Sequence, residues 1–118
     1  MNEVDLTPEE EINRKRNALK ERRRKQEASD LRSIMDTPEG RRVIMRLLEE
    51  GRAFHSCFDL NPIMMAKNEG KRDIALFILT ELMRDHQTQY LQMCREAKTL
   101  KQNNAAELKT IIEGDENA

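Results

Sequence analysis

The sequence has few of the residues on which β-rich and disulfide-rich domains depend. Its 118 residues include four Gly and three Pro, too few for the many tight turns of an all-β fold. There is no Trp, one Tyr and three Phe, so a core must be built from aliphatic side chains and from seven Met residues. Two cysteines cannot form a disulfide framework, which favours a reduced, intracellular type of protein. The composition therefore favours a single helical domain.

Segments that direct a chain into or across a membrane are also lacking. No apolar run approaches the roughly 18 residues that a membrane-spanning helix requires. The N-terminus is acidic, whereas a secretory signal peptide begins with basic residues and continues with apolar ones. The sequence thus predicts neither a membrane span nor secretion by that route.

Charged residues make up 36% of the chain and are strongly segregated along it. Residues 1–11 hold five acids and no base, residues 12–25 hold eight bases and one acid, and residues 99–118 hold four acids and two bases. The basic stretch could follow nucleic-acid phosphates, but such blocks are more commonly a solvated helix face balanced by another segment or subunit. No aromatic residue is interleaved to stack on single-stranded bases. The candidate nucleic-acid contacts are Arg14, Lys15, Arg16, Lys20, Arg22, Arg23, Arg24 and Lys25.

Two helices begin at a Thr-Pro pair. Thr7 to Glu10 combines an N-cap, a proline at the first helical position and a capping box, which predicts a helix from Pro8 to about Met35. Thr37-Pro38-Glu39 repeats the start signal before apolar residues at helical spacing, and Gly51 is placed to end this second helix.

The second half of the chain opens at Asn61-Pro62, which predicts a long helix reaching about Ala97, with a possible bend at Gly70. Residues 74–79 are apolar on nearly every side, which predicts that this helix is central and covered by several neighbours. Just before it, Phe54, Cys57 and Phe58 recur at a spacing of three and four residues. They predict a short helical turn that plugs the core.

These patterns predict an all-α protein, a small bundle of about three helices with a long basic N-terminal helix. The predicted divisions are an acidic leader and basic helical arm over residues 1–36, a compact helical domain over residues 37–97, and a weakly helical or disordered acidic tail over residues 98–118. Residues 1–6 are expected to be frayed. Since the basic helix has little apolar surface of its own, contact with another chain is the simplest way to stabilise it.

No set of residues has the pattern of a catalytic or metal site. His55, Cys57, His86 and Cys94 supply atom types that bind zinc, but their spacing is not that of the common zinc fingers. The glycines are isolated, so no phosphate-binding loop is present. Nothing combines a nucleophile, a base and an oxyanion stabiliser. We therefore expect no enzymatic activity, no cofactor, no metal and no small-molecule substrate.

Three marked segments follow one another in the middle of the chain. An arginine- and leucine-rich helix runs from Gly40-Arg41-Arg42-Val43 to Leu47-Leu48, two phenylalanines stand four residues apart, and Glu69-Gly70-Lys71-Arg72 precedes the apolar helix. In this order they resemble a small helical domain of tailed bacteriophages, of the type first described in a short-tailed Bordetella phage. The likeness covers residues 37–97, with Lys71 where that family more often has Arg. Its structural motif falls here on Phe54, Phe58, Glu69, Gly70 and Arg72.

The resemblance implies a phage protein encoded among virion assembly genes, found in the virion or in the cytoplasm of the infected host. The leading hypothesis is packing against copies of itself or against other virion proteins. One alternative is a DNA-binding module that uses residues 14–25, and another is a small inhibitor directed at the host. Within the motif, Gly70 and Arg72 are predicted to serve the fold, as a core-forming glycine and a capping arginine. Gly70 could let the long helix pass close to the Phe54–Phe58 turn, and Arg72 could then reach an acidic side chain, with Glu49, Glu50 and Asp59 as the candidates.

Overall fold

Four α-helices form the regular structure of residues 5–116, the part of the chain described by the computed structural model. They are α1 (Pro8–Met35), α2 (Pro38–Glu50), α3 (Pro62–Asp85) and α4 (Gln87–Glu116), and no strand occurs among these residues. The predicted all-α class is confirmed, with four helices where about three were expected. No helix within residues 5–116 is both long enough and apolar enough to cross a membrane. The expected fraying of residues 1–4 lies outside the described residues.

The first three helices begin where the sequence places their caps. At α1, the Thr7 N–H donates to Glu10 Oε2 at 3.1 Å and the Glu10 N–H donates to Thr7 Oγ1 at 3.2 Å, which completes a capping box. At α2, Thr37 Oγ1 accepts from the Gly40 N–H at 3.0 Å. At α3, Asn61 Oδ1 accepts from the Ile63 N–H at 2.9 Å. These side chains satisfy N–H groups that the first turn of a helix leaves without partners.

The chain divides into two compact units, with the boundary between Ser33 and Ile34. The first contains most of α1, whose side chains are almost all exposed. The second contains α2, α3 and α4, which contact one another pairwise. Residues 98–116, part of the tail 98–118 expected to be weakly helical or disordered, are the last 19 of the 30 residues of α4.

The core of the second unit is small and built from aliphatic and Met side chains. Met35, Leu48, Leu82 and Met93 are all at most 1% exposed, and they come from four different helices. Because every helix contributes one fully buried side chain, the packing of α2, α3 and α4 against one another is fixed. The prediction that Phe54 and Phe58 plug this core is wrong, because their side chains are 45% and 71% exposed. Smaller neighbours in the same loop, Ala53 and Cys57, are buried instead.

Two adjacent residues, Gly51 and Arg52, contribute differently to the end of α2. Arg52 takes the left-handed conformation with φ 58°, and its N–H donates to the Glu49 carbonyl at 3.0 Å. The Ala53 N–H donates to the Leu48 carbonyl at 3.0 Å, which completes a Schellman motif. Gly51, with φ −80°, has ordinary backbone geometry; a Cβ there would lie 2.5 Å from the Ala75 Cβ on α3. Gly51 therefore permits the close approach of α2 and α3.

The long helix predicted from Pro62 to Ala97 is interrupted at His86, and not at Gly70. His86 has φ −137° and ψ 37°, outside the helical region, so it ends α3 and starts α4. Its N–H donates to the Leu82 carbonyl at 2.8 Å, and its carbonyl accepts from the Tyr90 N–H at 2.9 Å. The imidazole is 1% exposed, and neither ring nitrogen has a hydrogen-bond partner among the described residues. One buried residue thus joins the two longest helices of the bundle.

Candidate interaction surfaces

Helices α2 and α4 run side by side in the same direction. Three side-chain pairs set their register: Gln89 donates to Asp36 at 3.4 Å, Arg41 pairs with Glu96 at 2.8 Å, and Lys101 pairs with Glu49 at 3.2 Å. Since α2 ends at Glu50, the part of α4 that follows about Asn104 extends beyond it. Every residue from Lys98 to Asp115 is exposed. Residues 98–115 of α4 therefore have little cover from the rest of their own bundle.

Arg41 is the main polar anchor between these two helices. Its side chain is only 5% exposed. Its Nε donates to both Glu96 carboxylate oxygens at 3.1 Å, and its Nη2 donates to Oε1 at 2.8 Å. Its Nη1 donates to the Met35 carbonyl at the end of α1 at 3.0 Å. This planar fork holds a carboxylate and a helix-terminal carbonyl at once, in the geometry that favours Arg over Lys.

The pair changes the titration of both side chains. Hydrogen bonds from Arg41 lower the pKa of Glu96, and this effect exceeds the opposing effect of partial burial. The hydrogen bond to Glu96 likewise raises the pKa of Arg41. A lowered carboxyl pKa means that the folded chain binds a proton less readily than the unfolded chain. The pair therefore stabilises the fold above the ordinary carboxyl pKa, and this stabilisation is lost as the pH falls through the lowered value.

Replacement of Glu96 by Gln is expected to make the fold less sensitive to acid. The urea midpoint of the unaltered chain should fall between about pH 7 and pH 3, as protons bind the unfolded carboxylate first. Glu96→Gln should start lower at neutral pH, because it leaves the buried Arg41 without its carboxylate, and then change less on acidification. Far-UV circular dichroism in urea measures both midpoints. Glu50→Gln, at an exposed position on α2, is the control; equal acid sensitivity in all three chains would refute the assignment.

A groove of about 680 Å³ lies between α2 and α4 and is named here the α2/α4 groove. Its apolar lining includes Met45, Met93 and Leu100. Its charged lining contains five bases and two acids, and both acids are already engaged, Glu96 by Arg41 and Glu49 by Lys101. No described carboxylate lies within 4.0 Å of the three remaining bases, which are Arg42, Arg46 and Arg95. The groove thus combines an apolar floor with a rim of available guanidinium groups.

A second apolar surface lies on α3. Ile63, Ile74 and Phe77 are 78%, 65% and 62% exposed, and their spacing places them on one side of the helix together with Gly70. This set is named the α3 face. The prediction that residues 74–79 are covered on several sides is therefore wrong within this chain. Large apolar side chains in one stripe are typical of a surface that another protein covers.

The structural motif suggested by the resemblance is not brought together as predicted. A Cβ at Gly70 would meet nothing within 4 Å, so no close approach to the Phe54–Phe58 turn occurs there. Among the described residues, no carboxylate forms an ion pair with Arg72, and its buried Nε has no hydrogen-bond partner. Glu69 is exposed on α3. No group of three His, Cys, Asp or Glu side chains within residues 5–116 is arranged to hold a metal ion.

The basic side chains of the first unit are all exposed on α1. Of the eight bases within residues 14–25, only Lys15 forms an ion pair with a described residue, with Glu11 at 3.9 Å, and both side chains are more than half exposed. A contact of this kind contributes little to stability. The structure therefore leaves the following predicted positions available to an anionic partner: Arg14, Lys15, Arg16, Lys20, Arg22, Arg23, Arg24 and Lys25.

The fold and its exposed surfaces define a small all-helical protein, and comparison with known families places it among proteins of bacteriophages. Residues 31–95 match the family described as Bbp19-like phage protein. The match spans more than half of the 118 residues, and the chain belongs to this family. The suspected resemblance is thereby confirmed. No curated protein and no solved structure gives a significant match to the chain.

Proposed function

We propose that the protein is a virion-associated or assembly protein that packs its helices against copies of itself or against other virion proteins, without catalysing a reaction. It would act in the virion, in the cytoplasm of the infected host, or in both. The α3 face is the observation that supports this proposal. Three large apolar side chains stand more than 60% exposed in one stripe of a helix, and burying such a stripe against a second helix is favourable by about 25 cal/mol per Å².

Self-packing through the α3 face predicts a multimer that persists in high salt. Light scattering of the purified full chain should give a mass above that of the 13.9 kDa monomer at both low and high salt, because apolar contacts are not screened by ions. Phe77→Ser should lower that mass, since it removes the largest side chain of the α3 face. The change should leave the fold intact, because Phe77 is 62% exposed.

Leu60→Ser is the matched control, because Leu60 is 91% exposed but lies in the loop before α3. It should leave the mass unchanged. A monomer at both salt concentrations would rule out self-packing. Mass spectrometry of purified particles tests the assignment to the virion, and a chain abundant in infected cells but absent from particles would instead favour an inhibitor directed at the host.

A second candidate function is nucleic-acid binding by α1. The observation that favours it is the exposure of eight basic side chains, of which only one is engaged in an ion pair with a described residue. Phosphate contacts made by such side chains release bound counterions from DNA, so the affinity falls steeply as salt rises.

Neutralising part of the basic stretch should weaken DNA binding by a similar factor whatever the DNA sequence. The triple variant Arg22→Gln, Arg23→Gln and Arg24→Gln should reduce the slope of log affinity against log salt by about 3, close to one unit for each phosphate that is no longer neutralised. Fluorescence anisotropy with a labelled duplex at several salt concentrations measures the slope. Lys67, Lys71 and Lys98, which are exposed and form no ion pair with a described residue, provide a control of equal charge when changed together to Gln. Unaltered binding by the α1 variant would end this candidate.

A further inference from the structure

We propose that the α2/α4 groove receives the end of α4 from a second copy of the chain, so that copies associate head to tail. The α4 end is defined here as residues 108–115. The inference rests on the proposed function, since it names the partner and the surface for self-packing. It concerns a contact separate from the α3 face, so each can be tested without the other.

The chemistry of the α4 end complements that of the groove. Leu108, Ile111 and Ile112 are each at least 50% exposed, and two acids accompany them with one base. The groove offers an apolar floor, and its rim holds three guanidinium groups that have no described carboxylate within 4.0 Å. Apolar burial in the floor with carboxylates at the rim is the arrangement in which an amphipathic helix binds a groove. The acids are Glu113 and Asp115.

These acids stand where their own helix disfavours them. A helix carries partial negative charge at its C-terminus, so carboxylates there are locally unfavourable and cations favourable. The last turn of α4 contains no base. Lys109 reaches Glu113 only at 4.0 Å, with side chains 78% and 59% exposed, which is a weak compensation. Guanidinium groups supplied by Arg42, Arg46 and Arg95 of another copy would compensate both the carboxylates and the helix terminus.

The α4 end cannot occupy the groove of its own chain. Leu100 lines the groove and Ile111 lies eleven positions further along the same unbroken helix. At about 1.5 Å per residue, the two side chains are separated by roughly 16 Å along the axis. The occupant must therefore come from another molecule. Because a groove on one copy meets a terminus on the next, the contact is heterologous, and it builds either a ring or an open series of copies.

The test is made in the Phe77→Ser background, where packing through the α3 face is removed. At about 0.1 mM, a concentration that detects contacts of micromolar affinity, sedimentation of this chain should still show association. Adding Arg46→Glu to the groove, or Ile111→Asp to the α4 end, should each give a monomer. An equimolar mixture of these two variants should restore a complex of two chains and no more, because only one intact groove and one intact α4 end remain.

Two substitutions of matched exposure serve as controls. Lys98→Glu reverses a charge on α4 at a position that does not line the groove, and Ile12→Asp changes a side chain 55% exposed, against 54% for Ile111. Both should leave association unchanged, and circular dichroism should show the same helix content in every chain. Loss of association in these controls would overturn the proposal, because the effect would not be specific to the groove.

The outcomes separate the two proposals. If Phe77→Ser alone is already monomeric while the unaltered chain is multimeric, the groove contact is overturned and self-packing through the α3 face stands. If Arg46→Glu abolishes association but Ile111→Asp does not, the occupant is another segment and the proposal is also overturned. If the unaltered chain is itself a monomer at this concentration, both proposals of self-association fail. Rescue by mixing supports the proposal, since it shows that the intact groove of one chain binds the intact α4 end of the other.

Discussion

Replacing Leu48 by alanine is expected to lower the free energy of unfolding by about 2–5 kcal/mol. Leu48 is 0% exposed on the inner side of α2, where the bundle has few other large side chains to share its role. Truncation removes apolar packing and leaves a cavity, and both effects add to the destabilisation. For a domain with a typical stability of about 5–15 kcal/mol, that decrease is a large fraction of the total.

The adjacent residue provides the control for this prediction. Leu47 is 50% exposed, so Leu47→Ala should cost less than about 1 kcal/mol. Urea unfolding followed by far-UV circular dichroism measures both values, at one low protein concentration because association would add to apparent stability. Similar decreases for the two variants would contradict the burial of Leu48 and the orientation of α2.

Alanine substitutions at Gly51 and Gly70 are expected to change stability in opposite directions. A Cβ at Gly51 would lie 2.5 Å from the Ala75 Cβ and 3.1 Å from the Lys71 carbonyl oxygen, so α2 and α3 must move apart. Overpacking of this kind costs about 1–3 kcal/mol. At Gly70, in the middle of α3, a Cβ would meet nothing within 4 Å. Alanine there should stabilise the helix by about 0.5–1 kcal/mol through its lower conformational entropy when unfolded.

The measurement is the same urea titration, again at low protein concentration, since Gly70 lies within the α3 face. Both backbones suit alanine, because neither glycine has a positive φ. The difference in sign therefore isolates the packing contact. Two decreases of equal size would show that Gly51 is not a close contact between helices.

Helix starts are the part of the fold that local sequence predicts best. An N-cap and a first-position proline are adjacent residues, joined at Thr7 by a capping carboxylate, and at Thr7, Thr37 and Asn61 each predicted start is found in the structure. The end of α2 is more complex. The prediction that the helix ends at Gly51 is correct, but the left-handed residue of the motif is Arg52, and the glycine instead allows contact with Ala75. Local sequence rules thus predict where α2 ends, but the reason for a glycine at that position is a tertiary contact with α3.

The break at His86 has no local signal. Buried positions at Ala75, Leu82, His86 and Met93 follow one another at intervals of seven or four residues, which is the pattern of an uninterrupted helix. Neither proline nor glycine marks the site. The backbone of the buried His86 hydrogen-bonds to the end of α3 and to the start of α4, so the direction of the chain changes there. Only the three-dimensional structure reveals this change.

Candidate surfaces are predictable only where charge marks them. The basic residues of α1 form a block in sequence, and their exposure follows directly from it. The charge of the α2/α4 groove comes from the bases that have no described carboxylate partner. Which bases these are depends on the long-range pairs Arg41–Glu96 and Lys101–Glu49. Size and spacing predict Phe54 and Phe58 in the core, but the loop buries the smaller Ala53 and Cys57. Side-chain size alone does not determine which residues the loop buries.

Because α4 is unbroken, it fixes both the distance and the angle of rotation about the helix axis between the groove and the α4 end, which we propose binds the groove of another copy. Each residue inserted between Leu100 and Ile111 would advance the end by about 1.5 Å and turn its apolar side by about 100°. One added residue would thus direct that side away from an incoming groove, whereas seven would turn it almost twice around and nearly restore its direction. The effect of an insertion on assembly therefore depends on the rotation that it produces. Adding seven residues should disturb assembly less than adding one or two.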